Sequence, residues 1–184
     1  MDLQPHPDVH HLACIGLMGA GKTTVGSQVA ERLGWSFVDV DALLEARTGC
    51  SVGELWQAGG EDVYRPLERD VVAGALRSGG RSVVAAPCDI VVDLDAASVL
   101  AAADVMAVYL RAQPDCLAAR ISADDHLHPF LDDRPEDALR TMFVARDHCY
   151  ERMADHVVDV DELDVEHATT AVLEAICSAG VRLR

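Results

Sequence analysis

The 184 residues suffice for one domain with its own apolar core, and a composition of 50% hydrophobic and 25% charged residues excludes a disordered or fibrous chain. Fifteen Lys and Arg stand against 31 Asp and Glu, a formal charge of -16 that repels nucleic acid and anionic membrane surfaces, so the expected partner is a small molecule. An anionic ligand must be held against that field by a few well-placed basic side chains.

Met1 to His11 shows neither the basic nor the apolar segment of a signal peptide, and the apolar stretches that follow stop well short of the roughly 18 residues that span a bilayer. A cytoplasmic monomer is the expectation. The six cysteines are dispersed without CxxC or metal-ligand spacing, as suits reduced thiols. Leu12 to Ile15 reads as a strand, and the apolar positions Val25, Val29 and Leu33 recur at helical spacing until Gly34 ends the helix. Between the two, Gly16 to Thr24 follows GxxxxGK[ST]. Such a loop cradles phosphates with backbone amides, reaches the outer phosphates with lysine and supplies a hydroxyl to Mg²⁺. The nucleotide-binding residues are then Gly19, Ala20, Gly21, Lys22, Thr23 and Thr24, with ATP and Mg²⁺ as expected cofactors.

Trp35 to Val40 reads as a second strand, ending in Phe37-Val38-Asp39-Val40-Asp41. Alternation points both carboxylates the same way, toward the strand ends where ligands of open α/β sheets collect. One carboxylate could then orient Mg²⁺ and the other accept a hydroxyl proton; alternatively Asp41 caps a helix and Asp39 is solvated. Ser51-Val52-Gly53-Glu54 is a capping box opening a short helix, which Gly59-Gly60 ends before a longer helix from about 61 to 77. On that helix Arg65 and Glu68 share a face, the pattern of a surface i,i+3 ion pair. Ser82 to Ala86 and Val105 to Leu110 are apolar runs suited to strands buried on both faces. Pro114 opens a helix through Arg120, Pro135 opens another through about Met153, and a strand at His156 to Val160 precedes a last helix near 165–179. The polar stretch 122–134 lacks periodicity and reads as a loop covering a site. Five strands alternating with helices predict an α/β chain, a three-layer α/β/α sandwich on a five-stranded parallel sheet, with all of 1–184 in one domain.

The succession GLMGAGKTTVG (16–26), FVDVD (37–41), TGCSVGELW (48–56), GGEDVYRPLE (59–68) and Arg146-Asp147-His148-Cys149-Tyr150 resembles the shikimate kinase family over nearly the whole chain. The resemblance implies a P-loop kinase fold with a closing lid and ATP-dependent phosphorylation of a shikimate hydroxyl in aromatic amino-acid biosynthesis. By the same resemblance Lys22, Asp41 and Asp39 are the catalytic residues. Asp41 would bind the reacting hydroxyl and act as base, Thr23 and Asp39 would hold magnesium, Arg65 and Arg146 would grip the substrate carboxylate, and Arg120 would pack on adenine. Two segments depart from the family pattern. Where the family carries three glycines after its third strand, this chain reads Val84-Ala85-Ala86-Pro87-Cys88-Asp89, and where its lid carries Arg-Pro, this chain has His128-Pro129, with Arg134 as a possible substitute cation. A kinase of a related hydroxy or cyclitol acid, or a nucleotide-binding relative with little catalysis, stays open on that account. His126 and His128 have no accompanying ligand set for a metal.

Overall fold

The computed structural model describes residues 5–77, 79–102, 104–122 and 135–178. Its elements are β1 (His11–Ile15), α1 (Lys22–Leu33), β2 (Ser36–Asp39), α2 (Val40–Thr48), α3 (Val52–Ala75), β3 (Ser82–Ala85), α4 (Leu94–Val99), β4 (Val105–Arg111), α5 (Pro114–Ser122), α6 (Pro135–Met153), β5 (His156–Asp159) and α7 (Val165–Ser178). The expected covering loop, with His126, His128 and Arg134, falls outside these residues except for Ser122.

The strands form one sheet in the order β2-β3-β1-β4-β5, every pair parallel. The uninterrupted apolar runs of β1, β3 and β4 follow from this arrangement: strands covered by helices on both faces have no solvent side on which to place polar residues. Every residue of β1 and β3 is buried, as are all of β4 before Arg111. The helices complete the sandwich, with α1 against α7, α2 against α3 and α5 against α6. The chain leaves β1 at the centre of the sheet, first to one side and later to the other, so the segments following β1 and β3 meet at the carboxyl edge where such folds bind ligands.

Three local features revise the sequence reading. The second strand stops at Asp39, and Val40 opens a helix that strand-like alternation had hidden. The helix cap is Asp39 and not Asp41: its Oδ1 accepts from the Asp41 and Ala42 amides at 3.1 and 3.2 Å, leaving Asp41 in the first turn. The two helices predicted on either side of Gly59-Gly60 run on as α3, with a break at Gly60, whose φ 59°, ψ -150° only glycine adopts readily. Upstream, the capping box forms as predicted, the Glu54 carboxylate accepting from the Ser51 amide at 2.7 Å and the Ser51 hydroxyl accepting from the Glu54 amide at 3.2 Å.

Candidate active site

The loop after β1 is shaped by its neighbours before any ligand is considered. At Gly16 the φ is 142° and a Cβ would lie 2.6 Å from the Leu110 carbonyl of β4, so only glycine lets the chain turn this close to the adjacent strand. Gly21 then caps α1 without any side-chain hydrogen bond. The first-turn amides of α1 therefore remain available at the positive end of the helix dipole, an arrangement suited to phosphate. Lys22 Nζ donates to the Leu17 carbonyl at 3.0 Å, which holds the ammonium over the loop. Thr23 Oγ1 donates to Asp39 Oδ2 at 2.6 Å. Asp39 thus caps the start of α2 with one oxygen and meets the P-loop helix with the other.

These groups border a cavity of about 750 Å³ lined by residues 18–25, Asp39, Asp41, Cys88 and Arg120 among others. The structure therefore brings the expected nucleotide residues together with both carboxylates of the FVDVD segment. Asp41 is reached by water in the cavity, yet the protein around it desolvates the carboxylate and pushes its pKa up to about 6, against the pull of Lys22 and with help from Asp39 and Asp89. A carboxylate poised near neutrality beside a phosphate loop suits a general base. Arg120 borders the cavity with its guanidinium donating to the Val160 carbonyl at the end of β5.

Arg65 and Arg146 do not border this cavity but adjoin it through the segment after β3. Arg146 Nη1 donates to the Cys88 carbonyl at 3.4 Å, and the same carbonyl accepts from the Tyr150 hydroxyl one turn further along α6. Tyr150 is stacked on Tyr109 with ring centroids 4.8 Å apart, which fixes α6 against β4. On α3, Tyr64 donates to Glu68 Oε1 at 2.5 Å, and Arg65 Nη1 lies 3.1 Å from Glu68 Oε2 and 2.5 Å from Asp89 Oδ2. The predicted i,i+3 pair forms, but inside the protein, since Glu68 is fully buried. Burial and then the Asp89 charge push the Glu68 carboxyl above its usual range, and the Asp89 carboxylate lies against the Arg65 guanidinium.

Asp89, which the sequence does not single out as a site residue, is brought by the fold against Arg65. The segment 84–89 stands out in the sequence for its lost glycines, and no spacing rule links position 89 to position 65; the contact exists only in the folded chain. Ala85, Ala86 and Cys88 border the cavity, and between them and Ile90 the Pro87 carbonyl accepts from the Ile90 amide at 3.3 Å in a tight turn whose Asp89 reaches Arg65 of α3.

Mg²⁺ needs few protein ligands when a nucleotide supplies phosphate oxygens, commonly one or two carboxylates and several waters. The paired Thr23 hydroxyl and Asp39 carboxylate, both hard oxygen donors, fit that requirement. Among the described residues no group of three or more His, Cys, Asp or Glu side chains is placed to hold a metal without such help.

A family model described as shikimate kinase matches residues 18–177. A shikimate kinase of Thermobifida fusca is 36% identical over 166 residues, covering 90% of this chain and 94% of that protein. One from Caldanaerobacter subterraneus subsp. tengcongensis is 32% identical over 171 residues, covering 90% and 95%. Among solved structures, shikimate kinase from Acinetobacter baumannii in complex with shikimate superposes with a TM-score of 0.86 at 26% identity, covering 96% of each chain.

Proposed function

The chain belongs to the shikimate kinase family, and from that premise we propose that it transfers the γ-phosphoryl group of ATP to a ring hydroxyl of shikimate, a step of aromatic amino-acid biosynthesis. The observation that carries the reading is the convergence, on one cavity, of a complete phosphate loop and Asp41, a carboxylate whose pKa of about 6 suits proton abstraction. Phosphoryl transfer passes through a loose transition state, so the protein's task is to align the reacting oxygens and balance charge. The amides of residues 19–24 hold the phosphates, and Lys22 leaves the Leu17 carbonyl to follow the charge that develops on the transferred group. Asp41 accepts a hydrogen bond from the acceptor hydroxyl and takes its proton as the new P–O bond forms and the bond to ADP breaks. Thr23 and Asp39 would hold Mg²⁺, which would supply positive charge to balance the phosphates. Arg120, fixed by the Val160 carbonyl, presents its guanidinium plane to the adenine, while Arg146 faces the acceptor's carboxylate and Arg65 lies on the adjoining α3. The enzyme works as a single-domain cytoplasmic monomer; among the described residues no helix is long and apolar enough to cross a membrane.

The test is ADP release by the purified protein with ATP, Mg²⁺ and shikimate. Turnover that requires shikimate is expected; turnover with none of a panel of hydroxy acids would overturn the proposal. Ala85 and Ala86, which border the cavity, favour one second reading, a related cyclitol acid as acceptor, and the same panel distinguishes it by which acid is used.

A further inference from the structure

Arg65 is the most charge-saturated basic side chain at the acceptor end of the site. Its side chain is only 13% exposed, and it is met by Asp89 at 2.5 Å, by Glu68 at 3.1 Å and by Glu61 at 3.4 Å. Asp89 is itself enclosed, with a side-chain exposure of 11%, and sits on the segment whose preceding residue, Cys88, borders the cavity. Asp89 thus meets Arg65 from the turn after β3, and Glu68 meets it from α3 itself. Arg146 differs in kind: among the described residues its guanidinium donates only one hydrogen bond, a long one of 3.4 Å to the Cys88 carbonyl. Two arginines expected to share one carboxylate are thus in unequal states, one already carrying an anion and the other free to take one.

We propose that Asp89 is a specificity-determining residue for the acceptor: by occupying Arg65 as a resident carboxylate, it leaves Arg146 to hold the substrate's carboxylate and lowers the site's preference for acid acceptors over neutral ones. The inference rests on the shikimate kinase reading for its choice of probe. Its physical content is local. A bidentate guanidinium offers its fork to one carboxylate at a time, and a second anion brought to the same cation meets the first at close range. An acid acceptor must therefore displace Asp89 from Arg65 or bind with that arginine neutralised.

The experiment compares the wild-type protein with Asp89→Asn, which keeps the shape and removes the charge, using shikimate and its methyl ester as acceptors. The expected result is a fall of about tenfold in KM for shikimate in Asp89→Asn, with KM for the ester and for ATP unchanged. In the double variant Asp89→Asn/Arg65→Gln the gain disappears, because it acts through Arg65. An unchanged or raised KM for shikimate in a folded Asp89→Asn protein would overturn the proposal, as would equal gains for acid and ester. A merely structural role would alter all three constants together.

Should Asp89→Asn fail to fold, the wild-type protein still decides. Shikimate and its ester are then expected to bind within about tenfold of one another, whereas a preference for the acid of a hundredfold or more would mean that Arg65 is not occupied by Asp89 in solution. Failure of the functional reading looks different. It is absence of turnover with shikimate in the wild type, and in that event shikimate binding gained by Asp89→Asn supports the role of Asp89, while binding by neither protein refutes it.

Discussion

Lys22 and Asp41 stand on opposite sides of the same charge balance, and their substitutions separate binding from chemistry. Lys22 is the one lysine or arginine of the phosphate loop, so Lys22→Ala should lower kcat by about a thousandfold through loss of transition-state charge stabilisation, measured by steady-state ADP release. Asp41→Asn removes the base and should lower kcat by about a hundredfold or more while the protein stays folded. Because burial raises the Asp41 pKa to about 6, the wild-type rate should fall as pH drops through 6, and that inflection should be missing from the residual activity of Asp41→Asn. Stability moves the other way. A carboxylate whose folded pKa is raised favours the folded state most below its unfolded pKa near 4 and loses that contribution as pH rises through 6. At pH 7 the ionised Asp41 is therefore a burden, which water in the cavity screens to about 1 kcal/mol, and Asp41→Asn should unfold at higher denaturant than wild type. A variant both inactive and less stable would contradict this account of Asp41.

At the scale of elements, the site depends on where helices are forced to begin and break. Gly60 divides α3, and its φ 59°, ψ -150° sets the direction of the half that carries Tyr64, Arg65 and Glu68. A Cβ there would meet nothing within 4 Å, so the cost of Gly60→Ala is purely one of backbone conformation, about 1–3 kcal/mol. Chemical denaturation should show that loss as a lower midpoint with an unchanged slope; a change below 0.5 kcal/mol would mean the break is not held in solution. The same elements show what the sequence made legible. The boundaries of α1, α5 and α6 were readable because Gly34, Pro114 and Pro135 act on their own backbone, and the phosphate loop because all its chemistry lies within one turn. The helix α2 was not, since Val38 and Val40 alternate with aspartates as in a strand, and only the Asp39 cap shows that Val40 has changed structure. Nor was the pairing of Arg65 with Asp89. That contact joins α3 to the turn after β3, a tertiary approach that no local propensity encodes.

For the whole molecule, the formal charge of -16 opposes the arrival of ATP and of an acid acceptor alike. The cavity does little to reverse it locally, since its lining carries Lys22 and Arg120 against Asp39, Asp41, Glu45 and Asp164. Attraction at contact therefore coexists with repulsion at a distance, and salt acts differently on the two. Raising ionic strength to physiological levels shortens the screening length to about 8 Å, which suppresses the long-range repulsion between protein and nucleotide while barely touching partly buried hydrogen bonds in the loop. Most enzymes that bind anions are steered by positive fields and slow down as salt is added. Here kcat/KM for ATP at saturating Mg²⁺ should instead rise, by about twofold to fivefold between 20 and 150 mM KCl, with kcat nearly constant. Steady-state rates at the two salt concentrations provide the measurement. A fall in kcat/KM would mean that basic side chains near the cavity mouth govern the approach of nucleotide and outweigh the net charge of the chain.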